Sequence, residues 1–181
     1  MTGIDLQILD FIQKYMKNDV LDIIMPLITR LGDIGIVWIL LTIILLCNRK
    51  TRTVGYVCAL SLIIDLLCVD IIIKPLVARS RPFTINTGVA LLIDAPHDYS
   101  FPSGHTAASF AVVSSLYFSK NKLWKPFLIL ACLIAFSRLY LYVHFPSDVF
   151  AGLLLGICFG KVSSIIMNRY TKNRSLLGTT K

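Results

Sequence analysis

The sequence predicts an all-α integral membrane protein, a bundle of about five or six transmembrane helices with an amphipathic helix at its N-terminus. Three observations support this fold class. Of the 181 residues, 56% are hydrophobic and only 15% are charged, whereas a soluble domain carries roughly 25% charged residues. The mean hydropathy is +0.74, and apolar stretches approaching the ~20 residues of a membrane span recur along the chain. A disordered protein is excluded, because such chains are poor in apolar residues.

Residues 1–31 form the first predicted segment, which consists of amphipathic helices. In residues 4–16 the apolar side chains fall near one helical face, as in a helix that lies in the membrane interface or packs on its neighbours. Residues 20–31 form a second short piece that contains Pro26. These twelve residues are too few to span ~30 Å of hydrocarbon. The sequence leaves open whether this segment crosses the membrane or lies on it.

The second predicted segment, residues 32–168, carries five stretches that are apolar enough to span a membrane. These stretches are residues 34–48, 53–73, 106–119, 126–143 and 149–167. Several are shorter than an ideal span, and tilting or local thinning of the bilayer can cover the difference. Residues 169–181 follow as a basic tail.

Basic residues are concentrated at alternate ends of the predicted spans. They are Arg49, Lys50, Arg52, Lys120, Lys122, Lys125, Arg169, Lys172, Arg174 and Lys181. Because cytoplasmic loops carry an excess of Lys and Arg, these ends and the C-terminus are predicted to be cytoplasmic. The same rule accounts for the net charge of +8 without a nucleic-acid partner. The other ends, residues 74–105 and 144–148, are then extracytoplasmic.

The predicted outer ends nevertheless hold cations that break this pattern, and they come in three polar clusters. The clusters are residues 74–82, 101–105 and 137–148. Their Lys and Arg side chains match phosphate oxygens, and Arg can donate two parallel hydrogen bonds. The amides at the start of a predicted helix after residue 103 also suit an anion. The three clusters therefore predict a phosphate site on one face of the membrane.

Two histidines and one carboxylate in these clusters predict catalysis at that site. His105 and His144 can divide the roles of nucleophile and proton donor. Asp148 could hold one nitrogen of His144 while the other attacks, which is the logic of a catalytic triad. A divalent metal at a phosphate site usually needs two or more carboxylates, and the five cysteines have no metal-type spacing. We therefore expect metal-independent chemistry and no cofactor.

The clusters contain the three parts of a known signature, K-x6-R-P, P-S-G-H and S-R-x5-H-x3-D, in order and at the right spacing. The sequence thus resembles the type 2 phosphatidic acid phosphatase superfamily, which also includes vanadium haloperoxidases and bacterial class A acid phosphatases. The matching residues are Lys74, Arg81, Pro82, Pro102, Ser103, Gly104, His105, Ser137, Arg138, His144 and Asp148. One such segment would be weak evidence, whereas three together are specific.

The resemblance implies a role for each matching residue. His144 is implied to be the nucleophile that forms a phosphohistidine, and Asp148 is implied to orient it. His105 is implied to protonate the leaving oxygen and then to help activate water. The implied phosphate-binding residues are Lys74, Arg81, Ser103, Gly104 and Arg138.

Five further residues lie outside the signature and have open interpretations. Arg79 contacts either a second phosphate or headgroup, or serves as an ordinary interfacial residue. Asp65 and Asp70 lie inside the second predicted span and are expected to have structural roles. Tyr140 and its neighbour Tyr142 are expected in an interfacial aromatic belt.

The function that the resemblance implies is hydrolysis of a lipid phosphate or pyrophosphate in the cell membrane. The short chain resembles bacterial undecaprenyl pyrophosphate phosphatases, so undecaprenyl pyrophosphate, converted to undecaprenyl phosphate plus phosphate, is the first expected substrate. Phosphatidylglycerophosphate and phosphatidic acid are the alternative substrates. A phosphotransferase using the same intermediate and a non-catalytic lipid-phosphate binder or transporter are the alternative functions. The sequence does not indicate an oligomeric state.

Overall fold

The computed structural model describes residues 2–178, and the side chains of residues 3–173, as a bundle of helices. The helices are α1 Thr2–Tyr15, α2 Asp19–Leu31, α3 Ile36–Cys47, α4 Arg52–Asp65, α5 Lys74–Val77, α6 Pro82–Ile85, α7 Gly104–Phe118, α8 Trp124–Tyr140 and α9 Pro146–Gly178. The predicted all-α class is confirmed. The end of the predicted basic tail, including the side chain of Arg174 and all of Lys181, lies outside the described residues.

Two helical stretches among the described residues are long and apolar enough to cross a membrane, Arg52–Ile85 and Pro146–Asn173. Helices α2 and α3 make a third if they count as one span, which is bent by 45° at the turn between them. Fewer spans qualify than the five or six predicted, because α7 has 15 residues and α8 has 17. Both are below the ~20 residues of an untilted span.

Helix α1 is held to the core by one face and leaves its other apolar face exposed. Leu9 and Ile12 are buried, Leu9 against Phe145 and Ile12 against Leu141. Ile4, Phe11 and Tyr15 are exposed instead, which suits contact with lipid. One face of α1 therefore packs on its neighbours, and the other face suits the membrane interface.

Tyr140 and Tyr142 also attach the N-terminal helices, and the expectation of an aromatic belt is wrong for both. Their side chains are buried. The Tyr140 hydroxyl donates to Asp22 of α2 at 2.6 Å, and the Tyr142 hydroxyl donates to Asp10 of α1 at 2.8 Å. A buried tyrosine needs such a partner, and no sequence pattern links residues so far apart.

Helices α7 and α9 pack so closely that their backbones touch. Three glycines on α9, spaced four residues apart, face α7: Gly152, Gly156 and Gly160. A Cβ at Gly156 would overlap the carbonyl oxygen of Ala107, so only glycine allows this approach, as in small-residue contacts between membrane helices. The N-terminal ends of α7 and α9, which carry the second and third polar clusters, are thereby held side by side.

Helix α4 continues through a π-helical stretch, Leu66–Ile73, into α5. Helical irregularities of this kind often occur at functional sites. The stretch brings Asp70 next to Lys74, with 2.6 Å between the Asp70 Oδ1 and Lys74 Nζ atoms. The chain then leaves the helix at Ala78, which has a left-handed φ of 47°. This turn leads the first polar cluster back over the start of α7.

Candidate active site

A cavity of about 970 Å³ lies where the three polar clusters meet. Six of the predicted site residues line it: Lys74, Arg81, Gly104, His105, Arg138 and His144. Part of its wall is apolar and comes from α3, from α4 and from the start of the π-helical stretch after α4, through Ile39, Leu62, Ile63 and Leu66. Asp148 and Ser103 are fully buried and are not part of this wall.

His144 lies in the turn between α8 and α9 with its imidazole buried and its two nitrogens in different environments. Nδ1 is 2.8 Å from the Ser100 carbonyl oxygen; a carbonyl only accepts, so Nδ1 carries the proton. Nε2 then carries the lone pair and lies 3.2 Å from Arg81 Nη1, which donates to it. Burial, reinforced by the charges of Arg81 and Arg138, lowers the pKa of His144 well below its ordinary value. The imidazole is therefore neutral at neutral pH.

Asp148 supports this arrangement through Ser100 rather than by a direct hydrogen bond to the imidazole. Its Oδ2 accepts from the Ser100 hydroxyl at 2.5 Å and from the Phe145 amide at 2.9 Å. The distance from Oδ2 to His144 Nδ1 is 3.6 Å, which is beyond a hydrogen bond. The loop before α7 inserts Ser100 between the two, and this differs from the direct contact expected for the pair.

Arg79 is bound to residues at the start of α9 and does not line the cavity. Its Nη1 donates to Asp148 Oδ1 at 2.5 Å and to Ser147 at 2.7 Å, and its Nη2 donates to Asp5 Oδ2 at 2.9 Å. The guanidinium also stacks over the Phe145 ring at 4.0 Å. Burial alone would raise the pKa of Asp5, but the bonds from Ser147 and Arg79 hold it below its ordinary value. Arg79 thus joins helix α1 to the carboxylate of Asp148.

Lys74 and Arg81 are bridged by one carboxylate, that of Asp98 in the loop before α7. Asp98 Oδ2 lies 2.5 Å from Lys74 Nζ, and Oδ1 lies 2.5 Å from Arg81 Nη2. Burial would raise the pKa of Asp98, but Lys74 and Arg81 hold it below its ordinary value. Backbone carbonyls of Asp98 and Val143 fix the rest of the Arg81 guanidinium. The two cations are thus spaced to share the oxygens of one anion.

Arg138 has a buried hydrogen-bond donor without an acceptor. Its side chain is 3% exposed, and its Nη1 donates to the Thr29 hydroxyl at 2.5 Å. Its Nε has no hydrogen-bond partner within the described residues. Leaving a buried charged donor unpaired is costly, and an anion in the cavity would supply the acceptor.

The start of α7 supplies the remaining predicted residues. His105 Nε2 lies 2.9 Å from Asp33 Oδ1. A Cβ at Gly104 would meet Lys74 Nζ and Asp70 Oδ1 at 3.4 Å, so this glycine permits a close approach to the cations. The Ser103 hydroxyl accepts from the Thr106 hydroxyl at 3.0 Å and caps the helix. Phosphate binding by Ser103 stays a prediction.

The structure adds residues that the sequence reasoning missed. They are Asp33, Asp98 and Ser100, together with Thr29. None belongs to the signature. Asp33, Asp98 and Ser100 lie in a turn or a loop and Thr29 lies on α2, and no motif in the sequence marks any of them. Within residues 2–178, no three His, Cys, Asp or Glu side chains are grouped so as to hold a metal ion.

Comparison with known proteins gives one family and several relatives. A family model described as the PAP2 superfamily matches residues 50–172. An undecaprenyl-diphosphatase of Sulfolobus acidocaldarius is 39% identical over 66% of this chain and 58% of its own length. An undecaprenyl-diphosphatase of Bacillus subtilis is 34% identical over 79% of this chain and 73% of its own length. The match therefore spans less than two thirds of the Sulfolobus protein.

Two crystal structures have similar folds. LpxE of Aquifex aeolicus superposes with a TM-score of 0.78 and 32% identity, over 88% of this chain and 94% of its own. A transmembrane PAP2-type phosphatidylglycerolphosphate phosphatase from Bacillus subtilis superposes with a TM-score of 0.75 and 25% identity. That superposition covers 93% of this chain and 86% of the other.

Proposed function

The chain belongs to the PAP2 superfamily, and we propose that it is a membrane lipid phosphatase that works through a phosphohistidine. The observation that carries this proposal is the state of His144. Its neutral imidazole is fixed through Nδ1 by Ser100, and its lone pair on Nε2 meets the cavity beside Arg81. A fixed lone pair beside three cations suits attack on a phosphorus atom.

In the first step, the substrate phosphate lies between Lys74, Arg81 and Arg138. Its oxygens replace contacts that Lys74 and Arg81 now make with Asp98. Arg138 Nε gains the acceptor that it lacks. His144 Nε2 forms a bond to phosphorus while the bond from phosphorus to the leaving oxygen breaks. His105 gives a proton to that oxygen, so the lipid product departs neutral at the broken bond. The cations stabilise the charge on the phosphoryl oxygens.

In the second step, water attacks the phosphohistidine. His105 accepts the proton from water as the new oxygen–phosphorus bond forms. The nitrogen–phosphorus bond breaks, and its electron pair returns to His144 Nε2. Asp148 holds the Ser100 backbone in position throughout, so the imidazole keeps the same orientation in both steps.

Undecaprenyl pyrophosphate is the substrate that we propose first. Support comes from the two relatives named as undecaprenyl-diphosphatases and from the size of the cavity, whose apolar wall on α3 and α4 would receive the start of a lipid chain. The similarity to a phosphatidylglycerolphosphate phosphatase favours phosphatidylglycerophosphate, with phosphatidic acid, as the alternative. A phosphotransferase would use the same intermediate with an alcohol in place of water.

We further propose that α7 and α8 also cross the membrane, which gives five spans in the core of residues 32–168. The site residues then lie at the extracytoplasmic ends of the helices, and the tail of residues 169–181 is cytoplasmic. Support comes from the basic loop between α7 and α8, which contains Lys120, Lys122 and Lys125 and lies at the end of α7 opposite the cavity.

Phosphate release from the purified protein in detergent tests this function. The panel contains undecaprenyl pyrophosphate, phosphatidylglycerophosphate and phosphatidic acid, each with and without a short alcohol as acceptor. We expect release of inorganic phosphate, fastest from undecaprenyl pyrophosphate, and no release by His144→Ala protein that binds lipid and remains folded. Binding of lipid phosphate by the wild-type protein without any phosphate release would favour a binder or transporter, and phosphorylation of the alcohol would favour the transferase.

A further inference from the structure

The acid histidine of the proposed mechanism is held by a carboxylate from outside the signature. Asp33 lies in the turn between α2 and α3, and its Oδ1 is 2.9 Å from His105 Nε2. The same turn covers the ring, because a Cβ on Gly32 would come within 2.7 Å of His105 Cδ2. The N-terminal part of the chain therefore reaches the cavity at the residue that handles the leaving group.

The turn is held in an unfavourable backbone conformation. Ile34 has a φ of 54° although it is β-branched, and its side chain is 94% exposed. Strained backbone conformations of this kind are concentrated at functional sites. Asp33 directly precedes the two left-handed residues Ile34 and Gly35, so the strained turn also contains the carboxylate that contacts His105.

We propose that Asp33 is a positioning residue that orients His105 and keeps it able to donate a proton. The proposal rests on the phosphatase function above and extends it to a residue that the signature does not contain. Asp33 accepts the hydrogen bond from Nε2–H. Nδ1, which has no hydrogen-bond partner among residues 3–173, is then the nitrogen that faces the leaving oxygen.

The proton balance follows from this geometry. In the first step the proton on Nδ1 passes to the leaving oxygen as the phosphorus–oxygen bond breaks, and His105 becomes neutral with Nε2–H still bound to Asp33. In the second step Nδ1 takes a proton from the attacking water. Asp33 changes neither its protonation nor its contact, and it stabilises the imidazolium that exists before the first step and after the second.

The charges around His105 explain why such a carboxylate is needed. Burial of the His105 ring disfavours its cationic form most, and the charges of Arg138 on α8 and Lys74 at the start of α5 act in the same direction. Asp33 opposes them from the α2–α3 turn, with Arg30 near it on α2. Without Asp33, two cations would face the imidazole, and the doubly protonated ring would be harder to form at neutral pH.

The pH dependence of kcat in Asp33→Asn protein tests the proposal. Asparagine keeps the size of the side chain and removes its charge, so the alkaline limb of the profile should shift to lower pH. We expect kcat at neutral pH to fall about ten- to a hundredfold with lipid substrates and less with an aryl phosphate, whose leaving group needs little protonation. Asp19→Asn, which removes the same charge from the exposed first turn of α2, is the matched control and should behave as wild type.

Asp33→Glu keeps the carboxylate and should retain the wild-type position of the alkaline limb even where kcat falls. An Asp33→Asn profile with the limb in its wild-type position, or equal losses with aryl and lipid substrates, would overturn the proposal. A limb that shifts equally in Asp33→Glu would also overturn it. Failure of the wild-type protein to release phosphate from any substrate would instead overturn the proposed function, so the two failures are distinguishable.

Discussion

Replacing Arg79 by alanine should destabilise the protein and slow turnover without weakening substrate binding. The sequence left two roles open for this residue, contact with a phosphate or headgroup and an ordinary interfacial position. The structure instead has Arg79 bound to Asp148 and Asp5 and stacked on Phe145. Removing it leaves the fully buried carboxylate of Asp148 without its cation.

The size of the effect follows from burial. Breaking a buried ion pair by removing one partner costs about 3–5 kcal/mol. The Arg79 side chain is 21% exposed, so water can partly replace it, and Asp148 keeps its bonds to Ser100 and Phe145. A value near the lower limit, about 3 kcal/mol, is therefore expected, which corresponds to a fall in Tm of about 6 to 12 °C for a chain of this size.

Thermal unfolding in detergent and steady-state kinetics provide the assay. For Arg79→Ala we expect the lower Tm, a kcat reduced about tenfold or more because Asp148 no longer holds Ser100 firmly, and a KM within about twofold of wild type. Arg49→Ala, in an exposed loop position, is the matched control and should change neither quantity. A KM raised tenfold with an unchanged Tm would refute the reasoning, because it would mean that Arg79 contacts substrate.

Three further predictions concern the nucleophile, metals and helix packing. Because burial lowers the pKa of His144, its imidazole should stay neutral as the pH falls through about 6.5. We therefore expect the plot of kcat/KM against pH to show no acid limb with a midpoint near that value. An acid limb with that midpoint would contradict the assigned protonation state of the imidazole. Activity should survive EDTA, since Lys and Arg carry the charge stabilisation, and complete loss that added Mg²⁺ restores would require a metal. Gly156→Leu should lower Tm by more than 10 °C or prevent folding, because the leucine side chain would overlap α7. Gly3→Ala should leave Tm unchanged, because a Cβ there meets nothing within 4 Å. Equal Tm values for the two variants would disprove the tight α7–α9 contact.

The helical class and the meeting of the three clusters could be predicted because both depend on short sequence patterns. Apolar stretches predict helices whatever their tertiary contacts, and the tripartite signature predicts one phosphate site. The ends of the helices were harder to predict, since α2 and α3 form a bent pair at Asp33–Gly35 and α9 extends well beyond residue 167. The turn at Asp33 depends on a strained conformation at Ile34 that no residue preference favours.

The contacts around the signature residues could not be predicted, because they depend on how loops fold over the site. Ser100 and Asp98 belong to an irregular segment without periodicity, yet they hold His144 and bridge Lys74 to Arg81. Spacing predicted that His144 and Asp148 are neighbours, but it could not predict that Ser100 lies between their polar atoms. Asp5 and Asp33 join the site only through the packing of α1 and α2.

Trapping of the phosphorylated protein tests the central claim most directly. The protein is mixed with undecaprenyl pyrophosphate labelled on its terminal phosphate, quenched in base within the first turnover, and digested to locate the label. A phosphohistidine is stable in base and labile in acid, so the account predicts base-stable label on the peptide that contains His144, and none in His144→Ala protein. Label on a different residue, or full phosphate release by His144→Ala, would contradict it.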